Sequence, residues 1–109
     1  MFYVKKRIEI TGAHCLKLDY PSKCNNLHGH NWVITVYCKN DVVNQDGMVV
    51  DFADIKNHIM QLDHKNLNTL FSFNPTAENI AEYLCNAILF CYRVDVVESE
   101  NDEATYEKI

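Results

Sequence analysis

The chain has 109 residues, of which 48% are hydrophobic and 23% are charged, so we expect one globular domain over residues 1–109. The net charge is −5, and the only basic cluster is KKR at residues 5–7, which disfavours a nucleic-acid partner. No apolar run is long enough to cross a bilayer, and the N-terminus lacks the order of a signal peptide. We therefore expect no membrane partner. The five cysteines form no Cys-x-x-Cys pair, so we expect most of them to be packed thiols in a cytoplasmic protein.

Two strands are predicted in the first part of the chain. Residues 2–14 place apolar side chains at even positions, on the same face as His14. Residues 15–29 are rich in turn formers, and residues 30–39 (HNWVITVYCK) are apolar on both faces. Burial on both faces is typical of a barrel wall or of a covered sheet, and it indicates oligomerisation.

Two helices and two further strands follow. Asp51 is a plausible N-cap of the first helix, and the second helix is predicted to start within residues 74–78. Residues 92–98 alternate as a strand, and after an acidic turn residues 104–107 are predicted to close a hairpin. The order is β-β-α-α-β-β. The apolar stripes of the two helices are Phe52, Ile55, Ile59 and Leu62, and Ile80, Leu84, Ile88 and Cys91.

Three histidines predict a metal site. His28 and His30 point to one face if this segment is extended, and Gly29 leaves room between them. His14 ends an apolar strand on its buried face. Alone, His14 is better interpreted as a core histidine, and a single His-x-His pair as two exposed surface histidines without a functional role. Together they match a catalytic zinc site, which typically has three protein ligands and one open position.

Cys24 lies four residues before His28 in a polar loop and has two interpretations. A thiol beside Lys23 and near a dication could have a lowered pKa and act as a reactive thiolate. It could also be a fourth zinc ligand that closes a structural site. The spacing does not distinguish between these two roles.

Carboxylates supply two further candidates. Asp63 and His64 resemble a carboxylate-oriented acid/base pair, although neighbours in a regular helix do not easily bond to each other. Either the helix ends before them or they act on different partners, and a helix end with routine charges is the simpler interpretation. Glu98 shares its face with Val94 and Val96, so it points either into a buried site or into the solvated turn.

Seven stretches of the sequence together match one known family. They are AH at residues 13–14, KCNNLHGHNW at 23–32, GMVVDF at 47–52, LDHKNLN at 62–68, NPTAENIA at 74–81, VE at 97–98 and ATYE at 104–107. The set resembles the 6-pyruvoyltetrahydropterin synthase family, and within it most closely the 6-carboxytetrahydropterin synthase branch. The stretches occur in the family's order and cover nearly the whole chain.

The resemblance implies an α+β tunnelling fold, with a four-stranded antiparallel sheet and two helices on one side. It implies a homo-oligomer, a trimer or a dimer of trimers, with sites at subunit interfaces. The implied roles are Zn²⁺ ligation by three histidines, proton transfer by Cys24 with Asp63 and His64 as relay, and pterin anchoring by Glu98. The implied zinc ligands are His14, His28 and His30.

The resemblance further implies a zinc-dependent lyase that converts 7,8-dihydroneopterin triphosphate into 6-carboxy-5,6,7,8-tetrahydropterin, acetaldehyde and triphosphate in queuosine biosynthesis. The three residues between Cys24 and His28 favour this branch. The alternatives are a 6-pyruvoyltetrahydropterin synthase, which retains all side-chain carbons, and a non-enzymatic zinc module. Because acidic side chains repel a triphosphate, we expect the turn at 99–103 to lie away from the site.

Overall fold

The structure is a computed structural model that describes all residues, Met1–Ile109. A short 3₁₀ turn, Lys23–Asn25, lies between the first two strands. In chain order the other elements are β1 (Phe2–His14), β2 (His28–Asn40), α1 (Phe52–Met60), β3 (Lys65–Asn66), α2 (Leu67–Leu70), α3 (Ala77–Ala87), β4 (Cys91–Ser99) and β5 (Asp102–Glu107). The strands form one sheet of order β3-β1-β2-β4-β5, in which the four long strands pair antiparallel.

The predicted four-stranded antiparallel sheet with two helices is correct only in outline. The sheet is five-stranded and mixed, because β3 pairs in parallel with Gly12 and Ala13 of β1. A third helix, α2, forms a single turn directly after β3. Elements of two and four residues are too short to show a strand or helix period, which is why the sequence pattern missed them.

Both long helices begin at side-chain caps. Asp51 accepts a hydrogen bond from the backbone N–H of Ala53 at 2.8 Å, which confirms the predicted N-cap of α1. Thr76 caps α3 by accepting from the N–H of Asn79 at 3.1 Å. Helix α3 ends at Ala87, so the prediction that Cys91 belongs to its apolar stripe is wrong. Cys91 is the first residue of β4, because the chain turns into the sheet as soon as the helix stripe ends.

The hydrophobic core lies between one face of the sheet and the helices. Even-numbered residues of β1 and β2 point into it, as the strand period requires. Helices α1 and α3 cover this face with their apolar stripes. The largest buried side chains in it include Trp32, Ile34, Ile55, Ile59, Leu67, Ile80 and Leu84.

The opposite face carries polar and half-buried side chains instead. Asp95 lies at its centre and accepts hydrogen bonds from Tyr37 at 2.7 Å, Thr105 at 2.6 Å and Arg93 at 3.0 Å. Both lateral edges of the sheet are open, because β3 covers β1 only at Gly12 and Ala13 and β5 pairs only with β4. None of the helices has the length and apolarity that a membrane span requires.

Candidate metal centre and active site

The register of the first two strands brings the three histidines together. His14, the last residue of β1, stands directly opposite His28, the first residue of β2, and Gly12 stands opposite His30. All three imidazoles point to the helix-covered face. Their ring centroids are 4.6 Å apart for His14 and His28, 4.8 Å for His28 and His30, and 5.2 Å for His14 and His30.

Glu98 joins this cluster from β4. Its Oε1 lies 3.2 Å from Nε2 of His14 and 3.4 Å from Nε2 of His30. One potential ligand atom from each of the four residues lies within 4.8 Å of the others. The Glu98 side chain is 25% exposed, so a ligand from solvent can reach it, whereas His14 is fully buried. Of the two alternatives for Glu98, the inward orientation is the one observed.

Two backbone carbonyls fix the tautomers of two histidines. His14 Nδ1 lies 2.7 Å from the carbonyl oxygen of Pro75, and His28 Nδ1 lies 2.7 Å from that of Asn26. A carbonyl oxygen only accepts, so Nδ1 carries the proton in each ring. In the neutral form of each ring, Nε2 therefore carries the lone pair. Such an outer hydrogen bond is the usual way in which a protein orients a metal-ligating histidine.

Two buried ring nitrogens of the cluster have no hydrogen-bond donor facing them, and a bound cation would satisfy them. Nε2 of His14 and of His30 are buried without any hydrogen-bond partner. A lone pair of His14 facing the Glu98 carboxylate is repulsive unless a positive charge lies between them. Three nitrogens and a carboxylate are also ligands that zinc accepts. The residues present therefore fit a bound divalent cation.

The surroundings of His30 favour its neutral form. Burial lowers its pKa most, Glu98 opposes this by raising the pKa, and the neighbouring His14 and His28 lower it further. The net result is a lowered pKa, which keeps the imidazole available as a ligand at neutral pH.

Trp32 forms the floor beneath the histidines. Its ring packs edge-on against His14 at 4.9 Å and His30 at 5.2 Å, and its Nε1 donates to the carbonyl of Gly12 at 3.0 Å. A Cβ on Gly12 would lie only 3.3 Å from that nitrogen, so a glycine allows this close approach. The sequence pattern assigned no role to Trp32.

Asp63 and His64 lie in the turn after α1 and contact each other. Asp63 Oδ2 is 2.8 Å from His64 Nδ1, and Asp63 Oδ1 accepts from the N–H of Thr11 at 2.9 Å. The pair is possible because α1 ends at Met60 and His64 adopts a positive φ of 57°. The hydrogen bond from Thr11 is the main cause that lowers the pKa of Asp63, followed by the bond with His64. The His64 side chain is 78% exposed and points its second ring nitrogen away from this carboxylate.

Cys24 lies in the 3₁₀ turn and outside the four-residue cluster. Its carbonyl accepts from the N–H of Leu16 at 2.7 Å, which places the turn beside the chain that leaves β1. Its N–H donates to Ser22 Oγ at 3.1 Å. The fourth group near the histidines is thus the Glu98 carboxylate, and no hydrogen bond within the chain joins Cys24 to Asp63 or His64.

A groove of about 430 Å³ opens beside Glu98. One wall is the start of α3 at Thr76, Ala77 and Glu78, and the other is the turn between β4 and β5. The prediction that the acidic turn lies away from the site is therefore wrong, because Asp102 and Glu103 line this groove. Strand β4 continues to Ser99 and the hairpin is tight, so the acidic residues remain next to Glu98.

Comparison with known proteins gives concordant matches. The profile of the family described as 6-pyruvoyl tetrahydropterin synthase matches residues 3–109. The human 6-pyruvoyl tetrahydrobiopterin synthase is 32% identical, with 95% of this chain and 90% of that protein covered. The 6-carboxy-5,6,7,8-tetrahydropterin synthase of Synechocystis sp. is 33% identical, with 77% and 73% covered.

The chain spans less than half the length of two further relatives, 43% of one from Pyrococcus horikoshii and 41% of one from Pyrococcus abyssi. Among solved structures, the 6-pyruvoyl tetrahydropterin synthase of Caenorhabditis elegans superposes with a TM-score of 0.77 at 27% identity, covering 99% of this chain and 96% of that one. The α+β fold is thus shared over the whole length. The chain belongs to the 6-pyruvoyl tetrahydropterin synthase family.

Proposed function

We propose that the protein is a zinc-dependent lyase that converts 7,8-dihydroneopterin triphosphate into 6-carboxy-5,6,7,8-tetrahydropterin, with release of acetaldehyde and triphosphate, in queuosine biosynthesis. The observation that carries the proposal is the convergence of three imidazoles, two of which, His14 and His30, have a buried Nε2 without a hydrogen-bond partner. The second support is family membership, with relatives that bear the name of this activity.

His14, His28 and His30 would hold zinc through Nε2. Zinc there would supply a Lewis acid that polarises hydroxyl oxygens of the substrate side chain. Trp32 packs beneath the histidines and excludes water from that side of the site. The hydrogen bonds to the carbonyls of Pro75 and Asn26 keep Nε2 of His14 and of His28 directed into the cluster.

Glu98 would anchor the pterin ring by accepting hydrogen bonds from its N–H groups. This role is supported by the position of Glu98 in the groove beside the histidines and by its partial exposure. The negative turn beside it disfavours the triphosphate, so we propose that the triphosphate extends away from Asp102 and Glu103.

Cys24 would transfer the proton at the substrate carbon, with Asp63 and His64 as its relay. Asp63 holds Nδ1 of His64, which leaves the other ring nitrogen free for a partner. Because no hydrogen bond within the chain joins this pair to Cys24, we propose that they meet across a subunit interface.

The sheet edges support a homo-oligomer, a trimer or a dimer of trimers. The open edge of β1 carries the basic residues 5–7, whereas the open edge of β5 carries Asp102, Glu103 and Glu107. Head-to-tail pairing of such complementary edges closes into a ring and leaves no free strand edge. The ring would also cover the polar sheet face around Asp95.

A 6-pyruvoyltetrahydropterin synthase is the second candidate. It is favoured by the human and Caenorhabditis elegans proteins of that name, which cover almost the whole chain. The two reactions differ in their carbon balance, so incubation of the zinc-loaded protein with 7,8-dihydroneopterin triphosphate separates them. We expect acetaldehyde and triphosphate in equal amounts. Triphosphate without acetaldehyde would establish the second candidate, and release of neither would exclude both.

The third alternative, a non-enzymatic zinc module closed by Cys24, has less support. In this structure the carboxylate of Glu98, not the thiol of Cys24, is the fourth group beside the histidines. The cytoplasmic location stays a prediction.

A further inference from the structure

Two asparagine side chains hold the segment that follows His14. The Asn68 amide exchanges two hydrogen bonds with the backbone of Cys15, from its N–H at 2.8 Å and to its carbonyl at 2.9 Å. The Asn74 amide does the same with Lys17, at 2.9 Å and 3.3 Å. These paired bonds replace the ladder bonds that the chain loses when it leaves the sheet.

Asn74 is also part of the loop that orients His14. The next residue, Pro75, is buried, and its carbonyl is the acceptor for Nδ1 of His14. On the other side the carbonyl of Asn74 accepts from the Asn79 amide and from the N–H of Thr76, both at 2.8 Å. Asn74 is therefore bonded to the exit of β1 by its side chain and to the start of α3 by its backbone.

We infer that Asn74 is a positioning residue for His14, an inference that rests on the proposed zinc site. The bond between His14 and Pro75 joins residues far apart in sequence, so it persists only if the two segments keep their separation. The Asn74 side chain fixes that separation from one residue away. His28 needs no such support, because its acceptor, Asn26, lies only two residues before it in the sequence.

The test compares Asn74→Ala with wild type in two measurements. Long-range ¹H–¹⁵N NMR of the zinc-free protein reports the tautomer of each histidine. We expect His14 to lose its single Nδ1–H tautomer while His28 keeps it. Chelator competition reports zinc affinity, and we expect a loss of about tenfold or more, the size typical of a lost outer-sphere partner.

Asn44→Ala is the matched control. Asn44 clamps its own loop by accepting from the N–H groups of Asp46 at 2.9 Å and Met48 at 3.1 Å, but it contacts no part of the histidine cluster. We expect wild-type zinc affinity and unchanged tautomers. A loss equal to that of Asn74→Ala would show a general loosening of the fold and would overturn the inference.

Asn79→Ala keeps the inference testable if Asn74→Ala does not fold. It removes one bond to the Asn74 carbonyl, and alanine suits its place in α3. We expect a smaller loss of affinity and partial tautomer mixing at His14. Wild-type tautomers and affinity in the folded variants would overturn the inference. If wild type itself bound no zinc, the proposed function would fail, and the tautomers would still decide the role of Asn74.

Discussion

Asp63 ties the turn after α1 to the edge of β1, because its Oδ1 accepts the N–H of Thr11 at 2.9 Å. The return bond, from the N–H of His64 to the carbonyl of Thr11, completes a two-bond bridge. The bridge fixes the Asp63–His64 pair beside Thr11, which lies three residues before His14 on β1. One carboxylate thus serves both as a structural clamp and as the group that orients an exposed imidazole.

The two functions of Asp63 are separable by substitution. Asp63→Asn retains an oxygen for the Thr11 N–H but loses the negative charge beside Nδ1 of His64. We expect kcat to fall by about a hundredfold, the typical contribution of a positioned acid/base group, with little change in Tm. Asp63→Ala loses the clamp as well and should have the lower Tm. Equal kcat in wild type and Asp63→Asn would remove the pair from the mechanism.

Cys24→Ala distinguishes proton transfer from zinc ligation. Since the thiol lies outside the histidine cluster, we expect one zinc per chain, an unchanged fold and no detectable turnover. Cys15→Ala, which alters the other half-buried thiol, is the control and should remain active. Metal analysis and the product assay check both variants. Loss of zinc from Cys24→Ala alone would favour the closed structural site.

Removal of zinc should destabilise the protein and alter its fluorescence. Ligand linkage gives about 2.7 kcal/mol of stabilisation at a hundredfold excess over Kd, so Tm should fall on dialysis against a chelator and recover with zinc. Trp32 is the sole tryptophan and packs against two of the histidines, so its emission should follow zinc titration. His28→Ala should abolish both responses. His58→Ala, which alters a histidine of α1 outside the cluster, should keep them.

The Asp95 network predicts a pH-dependent stability. Burial alone would raise the pKa of Asp95, but hydrogen bonds from Thr105, Tyr37 and Arg93 outweigh it and hold the pKa below its ordinary value. A lowered folded pKa means that the stabilisation is fully present above about pH 4, the ordinary value, and is lost as pH falls through the folded pKa.

We therefore expect Asp95→Asn to lower the free energy of unfolding by about 2 kcal/mol at pH 7, with the difference shrinking below about pH 4. Urea unfolding across this range, at one protein concentration, is the measurement. Asp41→Asn removes an exposed carboxylate and should match wild type throughout. A difference for Asp95→Asn that does not change with pH would show that packing, not charge, is responsible.

Local patterns in the sequence predicted the long elements well. Alternation placed the end of β1 at His14, and Asp51 marked the start of α1. The face shared by His28 and His30 followed from the two-residue strand period. These features depend only on neighbours in the sequence. The direction of Glu98 was left open by the pattern, and the extension of β4 to Ser99 decides it.

The supporting contacts could not be predicted in this way. The bonds of Cys15 with Asn68, of Lys17 with Asn74 and of His14 with Pro75 join residues more than fifty positions apart. Hydrophobic periodicity describes which face is buried, but it does not say which loop packs against a strand end. The two-residue β3, besides being too short to show a period, exists only through its pairing with β1.

The direct pairing of His14 with His28 makes the geometry of the metal site depend on the register of β1 and β2. A slip of one residue between β1 and β2 would turn His14 to the opposite face from His28 and His30. A chain folded in that way would have only two converging imidazoles, so it would bind the cation more weakly than a chain with the native register. Metal capture would therefore select the native strand alignment during folding, and a purified zinc-loaded population would be enriched in correctly aligned chains.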